Sequence, residues 1–291
     1  MTPGRFQHFA AIDWSGAAGE RHAGNAVAIC DADDDAPRIV RPGHKWSRAE
    51  AADWIGERMP ADTLVGLDIS GSLALADTGA YFPGWADSPP DARSLWAMVE
   101  AMCGGDAHLG AGSFVDHAEV SRHYRRHGAR EGDLFGGGIG RLRVTERLGQ
   151  IALGCRPTSN FNLVGASQVG KASLTGMRVL HRLDGKIALW PFDPLPEHGS
   201  VAVEIYTTIA AIAAGRTASR SKLRTFAELN AALAAIGSRP MRGKGPIDDH
   251  RSDALLASAW LRSVADRPEY WHPPAMTDEI ARTEGWTFGA L

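Results

Sequence analysis

The chain has 291 residues, of which 44% are hydrophobic and 22% are charged, a composition typical of a globular protein with a sizeable core. Its net charge of −3 argues against a constitutively basic nucleic-acid coat protein, although a local basic surface remains compatible with it. Neither an apolar run long enough to span a membrane nor an apolar signal core at residues 1–8 is present. The three widely spaced cysteines favour a reduced, cytoplasmic compartment.

The first 68 residues predict the element order β-β-β-α-β. Short apolar runs joined by turns predict an antiparallel meander. Ser47, with Glu50 three residues later, forms a capping box, which predicts a helix from 47 to about 58. The predicted strands are 9–13, 25–30, 37–40 and, after the helix, 63–68.

Residues 70–197 differ from this pattern, because they contain Gly- and Pro-rich loops around a helix predicted at 93–102. We interpret them as a large insertion. The pattern resumes with a strand at 201–206, followed by helices at 207–214, 225–236 and 249–265. The predicted organisation is a core of 1–69 and 198–265, the insertion 70–197 and a C-terminal tail 266–291.

Three predicted strands carry an acid at or near their ends: Asp13, Asp68 and Glu204. A buried carboxylate is costly unless it is paired or metal-bound, and ligands of α/β sheets gather near strand ends. A single acid after a strand can instead be a turn former or a helix cap. Glu204 is flanked by Val203 and Ile205, so it lies inside an apolar run, which the alternative does not explain.

The last predicted helix adds further candidates. Asp253 opens its apolar stripe, which predicts that this acid faces the core. That stripe consists of Leu256, Ala257 and Trp260. Asp249 and His250 lie one turn earlier on the same side. For Asp248 or Asp249, a role as helix N-cap is an equally good explanation.

Carboxylate oxygens with at most one imidazole form a donor set that suits Mg²⁺ or Mn²⁺. Two such ions about 4 Å apart can activate water and stabilise the leaving oxygen of a phosphodiester. The acids therefore predict a Mg²⁺- or Mn²⁺-dependent phosphodiesterase, with DNA or RNA as the expected substrate.

The order of these motifs resembles the RNase H-like fold. More narrowly, it is similar to the predicted RNase H-like nucleases catalogued as a domain of unknown function. The last-helix element His250-x-x-Asp253-Ala-Leu is also similar to that of Holliday-junction resolvases. The motifs that carry the resemblance are Ala11-Ile12-Asp13, Gly66-Leu67-Asp68, Val203-Glu204-Ile205-Tyr206 and residues 248–255.

The resemblance implies an RNase H-like α/β fold, with a mixed five-stranded sheet flanked by helices and a large insertion. It also implies that Asp13 bridges the metals, that Asp68 and Glu204 are ligands and that Asp253 completes the catalytic site. His250 or Asp249 would be a ligand or orient water. The insertion is not part of the minimal fold, and Thr207 stands where many relatives have proline.

Two alternative functional interpretations of the sequence depend on other motifs. Residues 165–172 nearly match a phosphate-binding P-loop with Lys171 as its lysine, although Ala172 lacks the hydroxyl that would hold Mg²⁺. Lys171 could also grip a substrate phosphate. Alternatively, the turn Asp13-Trp14-Ser15-Gly16 could imitate the phosphate loop of sugar kinases and actin-like ATPases. A catalytically inactive RNase H-like scaffold is a further alternative.

An arginine cluster is a candidate nucleic-acid contact, because arginine binds phosphates and the nearby Tyr124 and Phe135 could stack on bases. The alternative is a solvated surface segment. The cluster consists of Arg122, Arg125, Arg126, Arg130, Arg141, Arg143 and Arg147.

Overall fold

The structure, a computed structural model, describes residues 4–33, 36–165 and 169–291. The described residues form a six-stranded mixed sheet and a separate two-stranded ribbon, which confirms the mixed α/β prediction. The strands of the sheet are β1 (His8–Asp13), β2 (Ala26–Asp31), β3 (Arg38–Ile39), β4 (Thr63–Leu67), β7 (Ala188–Trp190) and β8 (Val201–Glu204). The ribbon consists of β5 (Arg125–Arg126) and β6 (Arg130–Glu131).

The helices of the first half of the chain are α1 (Arg48–Asp53), extended by a π-helical turn over Trp54–Arg58, α2 (Ala92–Met102), α3 (Gly112–Asp116), α4 (Ala118–Ser121) and α5 (Val144–Leu153). Those of the second half are α6 (Val169–Leu183), α7 (Thr207–Ala213), α8 (Phe226–Ala235), α9 (Asp249–Val264), α10 (Pro268–Trp271) and α11 (Asp278–Thr283). Short 3₁₀ turns cover Ala107–Leu109 and Ala218–Arg220. Across the described ranges, none of the helices is long and apolar enough to cross a membrane.

The sheet has the order β3-β2-β1-β4-β8-β7. The strands β1, β2 and β3 pair with one another in antiparallel fashion, as the predicted meander requires. In contrast, β4 is parallel to β1, and β8 is parallel to both β4 and β7. Parallel neighbours need crossover connections, and those between β1 and β4 and between β4 and β8 contain helices, whereas residues 191–200 join β7 to β8 without one. The carboxyl ends of β1, β4 and β8 therefore meet at one edge of the sheet.

Helices cover both faces of the sheet. Apolar residues of α1, α2 and α6 pack with Ile12, Leu67 and Ala202 on one face. Apolar residues of α7, α8 and α9 pack with Ala11 and Val203 on the other. Neighbouring strand residues point to opposite faces, so the central strands are apolar on both sides because both sides are buried.

The sheet has one more strand than the five predicted. This strand, β7, comes from residues 70–197, which also supply α6 to one face of the sheet. Residues 266–291 pack against the core as well, since Trp286 and Phe288 are fully buried in the same cluster as Trp260. Both segments therefore contribute to the packed interior.

The capping box predicted at the start of α1 is confirmed. The Ser47 hydroxyl accepts a hydrogen bond from the Glu50 backbone N–H at 3.1 Å, and the Glu50 carboxylate accepts one from the Ser47 N–H at 3.0 Å. We expect Ser47→Ala to lower the free energy of unfolding by about 1 kcal/mol, because the Glu50 backbone N–H loses the hydroxyl that accepts its hydrogen bond. Urea unfolding measures this. Ser47→Asp, which keeps a capping oxygen, should retain most of the stability, and equal losses in the two variants would contradict the capping role.

Candidate acidic site

Two of the predicted acids are brought together by strand register. In the parallel strands Ile12 is level with Leu67, and Leu67 is level with Glu204. The following residues, Asp13 and Asp68, are therefore level with each other at adjacent strand ends. Both point to the face that α9 covers, because their strands alternate and Ile12 and Leu67 belong to the opposite face. Asp13 is 6% exposed.

Helix α9 brings Asp249, His250 and Asp253 to this face. Asp253 is buried, and His250 Nδ1 lies 2.8 Å from Asp13 Oδ2. Asp248 is the N-cap, since its carboxylate accepts a hydrogen bond from the Arg251 N–H at 3.0 Å. Asp249, in the first turn, contributes negative charge near Asp13 and Asp253. We call Asp13, Asp68, Asp249 and Asp253 the acidic cluster.

The acidic cluster contains more negative charge than its surroundings neutralise. Burial raises the pKa of Asp68 well above its usual range, and repulsion from Asp13 and Asp253 raises it further. Burial also raises the pKa of Asp13, although the His250 hydrogen bond opposes this. The pKa of Asp253 is raised by burial to about 6, against the attraction of Lys222. Buried like charges at this density favour binding of a cation.

Lys222 was not predicted, and it supplies a cation to the cluster. Its ammonium contacts Asp253 Oδ2, while half of its side chain is exposed to solvent. Burial lowers its pKa, but Asp253 and Asp13 outweigh that effect and the pKa is raised. No helical or strand periodicity marks this lysine, which lies in the loop before α8, so only the fold shows its position.

Thr207 contacts the acidic cluster through Asp68. Its backbone N–H and its hydroxyl both donate to the Asp68 carboxylate, each at 3.4 Å. A proline at this position would have neither donor. The residue after Tyr206 therefore orients Asp68 in this chain.

The expectation that Glu204 joins the other acids is not met. Its carboxylate points to the opposite face of the sheet, and the residue level with Asp13 and Asp68 is Ile205, which directly follows β8. Both Glu204 oxygens are instead engaged by Arg143, at 2.6 and 2.8 Å. The Gly71 N–H and the Thr287 hydroxyl donate to the same carboxylate at 2.7 and 2.6 Å.

Arg143 organises a second charged cluster. It is 1% exposed, and its Nε donates to Glu146 at 3.0 Å while Nη1 donates to the Glu284 carbonyl at 2.9 Å. The fully buried Glu284 carboxylate accepts from the backbone N–H groups of Leu75, Ala76 and Val144. We call Arg143, Glu146, Glu204 and Glu284 the Arg143 cluster. Its hydrogen bonds connect residues 284–287 to the start of α5 and to the loop after β4.

The predicted phosphate loop is described only in part, because residues 166–168 lie outside the described ranges. Lys171 Nζ lies 3.2 Å from His127 Nε2, away from the acidic cluster's contacts. The Ser173 hydroxyl, the nearest candidate for a P-loop hydroxyl, donates to the Val169 carbonyl at 2.9 Å. The helix that follows is α6, as the P-loop reading expects.

The arginine cluster is largely neutralised by neighbouring acids. Five of the seven arginines form ion pairs, namely Arg122 with Glu119 and Asp133, Arg125 with Glu131, Arg126 with Asp116, Arg141 with Asp77, and Arg143 with Glu146 and Glu204. Tyr124 and Phe135, the proposed stacking residues, are buried in the core. Stacking on bases by these two rings is therefore ruled out by their burial.

A cavity of about 610 Å³ opens at the carboxyl ends of β1, β4 and β8. Asp13, Asp68, Asp249 and Lys222 line one part of it. Helix α5, residues 155–158 and the start of α6 line another. Both charged clusters thus border the same space.

The cluster's donor chemistry fits a hard divalent cation, since it offers carboxylate oxygens and one imidazole against a single neighbouring ammonium. Within the part of the chain that is described, no three His, Cys, Asp or Glu side chains are already spaced to hold one ion. Metal binding at Asp253 would require the Lys222 ammonium to move away from that carboxylate.

No family model matches this chain, and comparisons with the curated proteins and the solved structures find no match either.

Proposed function

We propose that this protein is a divalent-metal-dependent phosphodiesterase acting on nucleic acid, with an RNase H-like carboxylate site. The observation that carries the proposal is the register of β1 and β4, which sets Asp13 and Asp68 side by side beneath Asp253 of α9. Three acids from three distant segments repel one another there, and two of them, Asp13 and Asp253, are buried. This repulsion lowers the stability of the folded protein unless a bound cation neutralises it. Acids that are kept together at such a cost are typical of a binding site.

The strand directions support an RNase H-like fold. An antiparallel β1-β2-β3 meander is followed by β4 and β8, parallel to β1, and the long helix α9 packs against β1 and β2. The resemblance noted in the sequence implies the same order. A likeness of fold alone does not specify chemistry, so the functional proposal depends on the acids.

In this proposal Asp13, Asp68 and Asp253 hold the metal, with Asp249 and His250 at its border. When bound, a Mg²⁺ or Mn²⁺ ion supplies Lewis-acid activation of water and stabilisation of a leaving oxygen. Asp13 holds the His250 imidazole at 2.8 Å, and Thr207 fixes the Asp68 carboxylate. Glu204 is not assigned as a ligand, because Arg143 engages both of its oxygens.

The direct test incubates purified protein with single-stranded and structured DNA and RNA, with Mg²⁺, with Mn²⁺ and with EDTA. We expect cleavage with either metal and none with EDTA. Absence of cleavage under all conditions, together with a melting temperature that Mn²⁺ leaves unchanged, would refute the proposal.

Lys222 provides a prediction about metal affinity. Because its ammonium occupies Asp253 and repels a second cation, we expect Lys222→Met to strengthen Mn²⁺ binding about tenfold or more. Titration calorimetry with Mn²⁺ measures the dissociation constant. Lys222→Arg keeps the charge and should bind Mn²⁺ like the wild type. A Lys222→Met protein with unchanged or weaker affinity would show that the ammonium does not compete with the metal.

A further inference from the structure

Three acids of the acidic cluster line the cavity, namely Asp13, Asp68 and Asp249. Asp13 is 6% exposed, and α5 and residues 155–158 line the same cavity. A phosphodiester that contacts the buried Asp13 carboxylate must enter the cavity. A double helix, whose phosphates stay on the outside of a wide rod, does not fit into a cavity of about 610 Å³ unless its strands separate.

The size of the cavity limits what can enter. Pockets of roughly 300–1,000 Å³ enclose ligands the size of small molecules, and the cavity here measures about 610 Å³. That space suits roughly one or two nucleotides. Polar and aromatic groups are available for them, including the hydroxyls of Thr158 and Thr208 and the ring of Tyr206, which is 39% exposed.

Charge outside the cavity argues against tracking of a long polymer. Proteins that hold long nucleic acids present rows of Lys and Arg to successive phosphates. Here five of the seven arginines in the densest basic segment are paired with carboxylates, and the whole chain carries a net charge of −3.

We infer that the site accepts single-stranded nucleic acid through one or two nucleotides only, as a free dinucleotide or as the end of a strand, and excludes duplexes. This inference rests on the proposed function. The recognised unit is a nucleotidyl phosphodiester, which places its phosphate at the acidic cluster and its bases beside Tyr206 in the cavity.

Helix α5 offers a matched pair of variants. Gly149 lines the cavity, and a Cβ at this position would meet no atom within 4 Å. Gly149→Trp should therefore fill the cavity without disturbing the helix, which gains a better helix former than glycine. Ile151, two residues later on the same helix, is 81% exposed. Ile151→Trp places the same ring outside the cavity and is the control.

Binding is measured by titration calorimetry in Mn²⁺ with three probes: the dinucleotide thymidylyl-thymidine, a long thymidine single strand and a duplex. Recovered probe is checked for cleavage by chromatography. We expect wild type and Ile151→Trp to bind the dinucleotide and the single strand with similar affinity and the duplex at least tenfold more weakly. Gly149→Trp should weaken dinucleotide binding at least tenfold, with an unchanged melting temperature.

Tighter binding of the duplex, or of the long strand over the dinucleotide by tenfold or more, would overturn the inference. So would equal dinucleotide binding by the two tryptophan variants, or binding of none of the probes. Dinucleotide binding without cleavage would instead leave this inference standing and refute the proposed catalysis. A dinucleotide bound more tightly than the long strand indicates a free dinucleotide as substrate, and equal binding indicates a strand end.

Discussion

Asp13→Asn is expected to lower phosphodiesterase activity at least a hundredfold and to remove most of the Mn²⁺-induced rise in melting temperature. Asp13 contacts His250 of α9 and lies level with Asp68 at the end of the neighbouring strand, so it connects the strand-borne and helix-borne parts of the acidic cluster. Asparagine keeps the shape of the side chain but has no charge with which to bind a cation. In metal-free protein the melting temperature should not fall, because the substitution removes one of several mutually repelling buried charges.

Asp248→Asn is the matched control. It makes the same chemical change at the exposed residue that precedes Asp249, an N-cap position where asparagine caps as well as aspartate. Activity and the Mn²⁺ response should both stay within twofold of wild type. If Asp13→Asn retained the Mn²⁺ stabilisation, Asp13 would not be a metal ligand, whatever happened to the activity.

Arg143→Ala is expected to lower the free energy of unfolding by about 3–5 kcal/mol, because it leaves buried carboxylates without their cation. Arg143 is 1% exposed and donates to Glu146, Glu204 and the Glu284 carbonyl. The pKa of Glu146 is already raised by burial despite the attraction of Arg143, and removal of that attraction would favour its protonation. Urea unfolding followed by circular dichroism measures the loss.

Arg122→Ala makes the same substitution in an exposed ion pair with Glu119 and Asp133. Solvent screens this pair, so the unfolding midpoint should stay close to that of wild type. Similar midpoints for the two variants would mean that the Arg143 cluster contributes no more than a surface contact.

Most of the core could be predicted from the sequence, because its elements are long and strongly patterned. The strand predicted at 63–68 is observed at Thr63–Leu67, and the helix predicted at 249–265 is observed at Asp249–Val264. The strand β7 was missed. It has only three residues, Ala188–Trp190, and precedes a proline within a segment of turns, so its pairing with β8 depends on tertiary contacts that no local pattern records.

Residues of the candidate site could be predicted only where a local sequence pattern determines the direction in which the side chain points. Asp253 opens the buried stripe of a helix, and it lies on the expected face. Glu204 lies in a strand buried on both faces, where alternation of apolar and polar residues is lost and the side-chain direction cannot be inferred. Lys222 and Arg143 are long side chains whose partners are distant in sequence, so only the folded chain shows what they contact.

The contacts of Glu284 and Thr287 affect the order in which the protein can assemble during synthesis. Arg143 and Glu204 meet in a space that residues 284–287 close, through a carboxylate bound to three backbone N–H groups and a hydroxyl bound to Glu204. Until residues 284–287 have left the ribosome, a nascent chain holds an arginine and two glutamates with part of their partners missing. The Arg143 cluster is therefore completed later than the strands that precede it, in a process in which domains fold from the N-terminus onward.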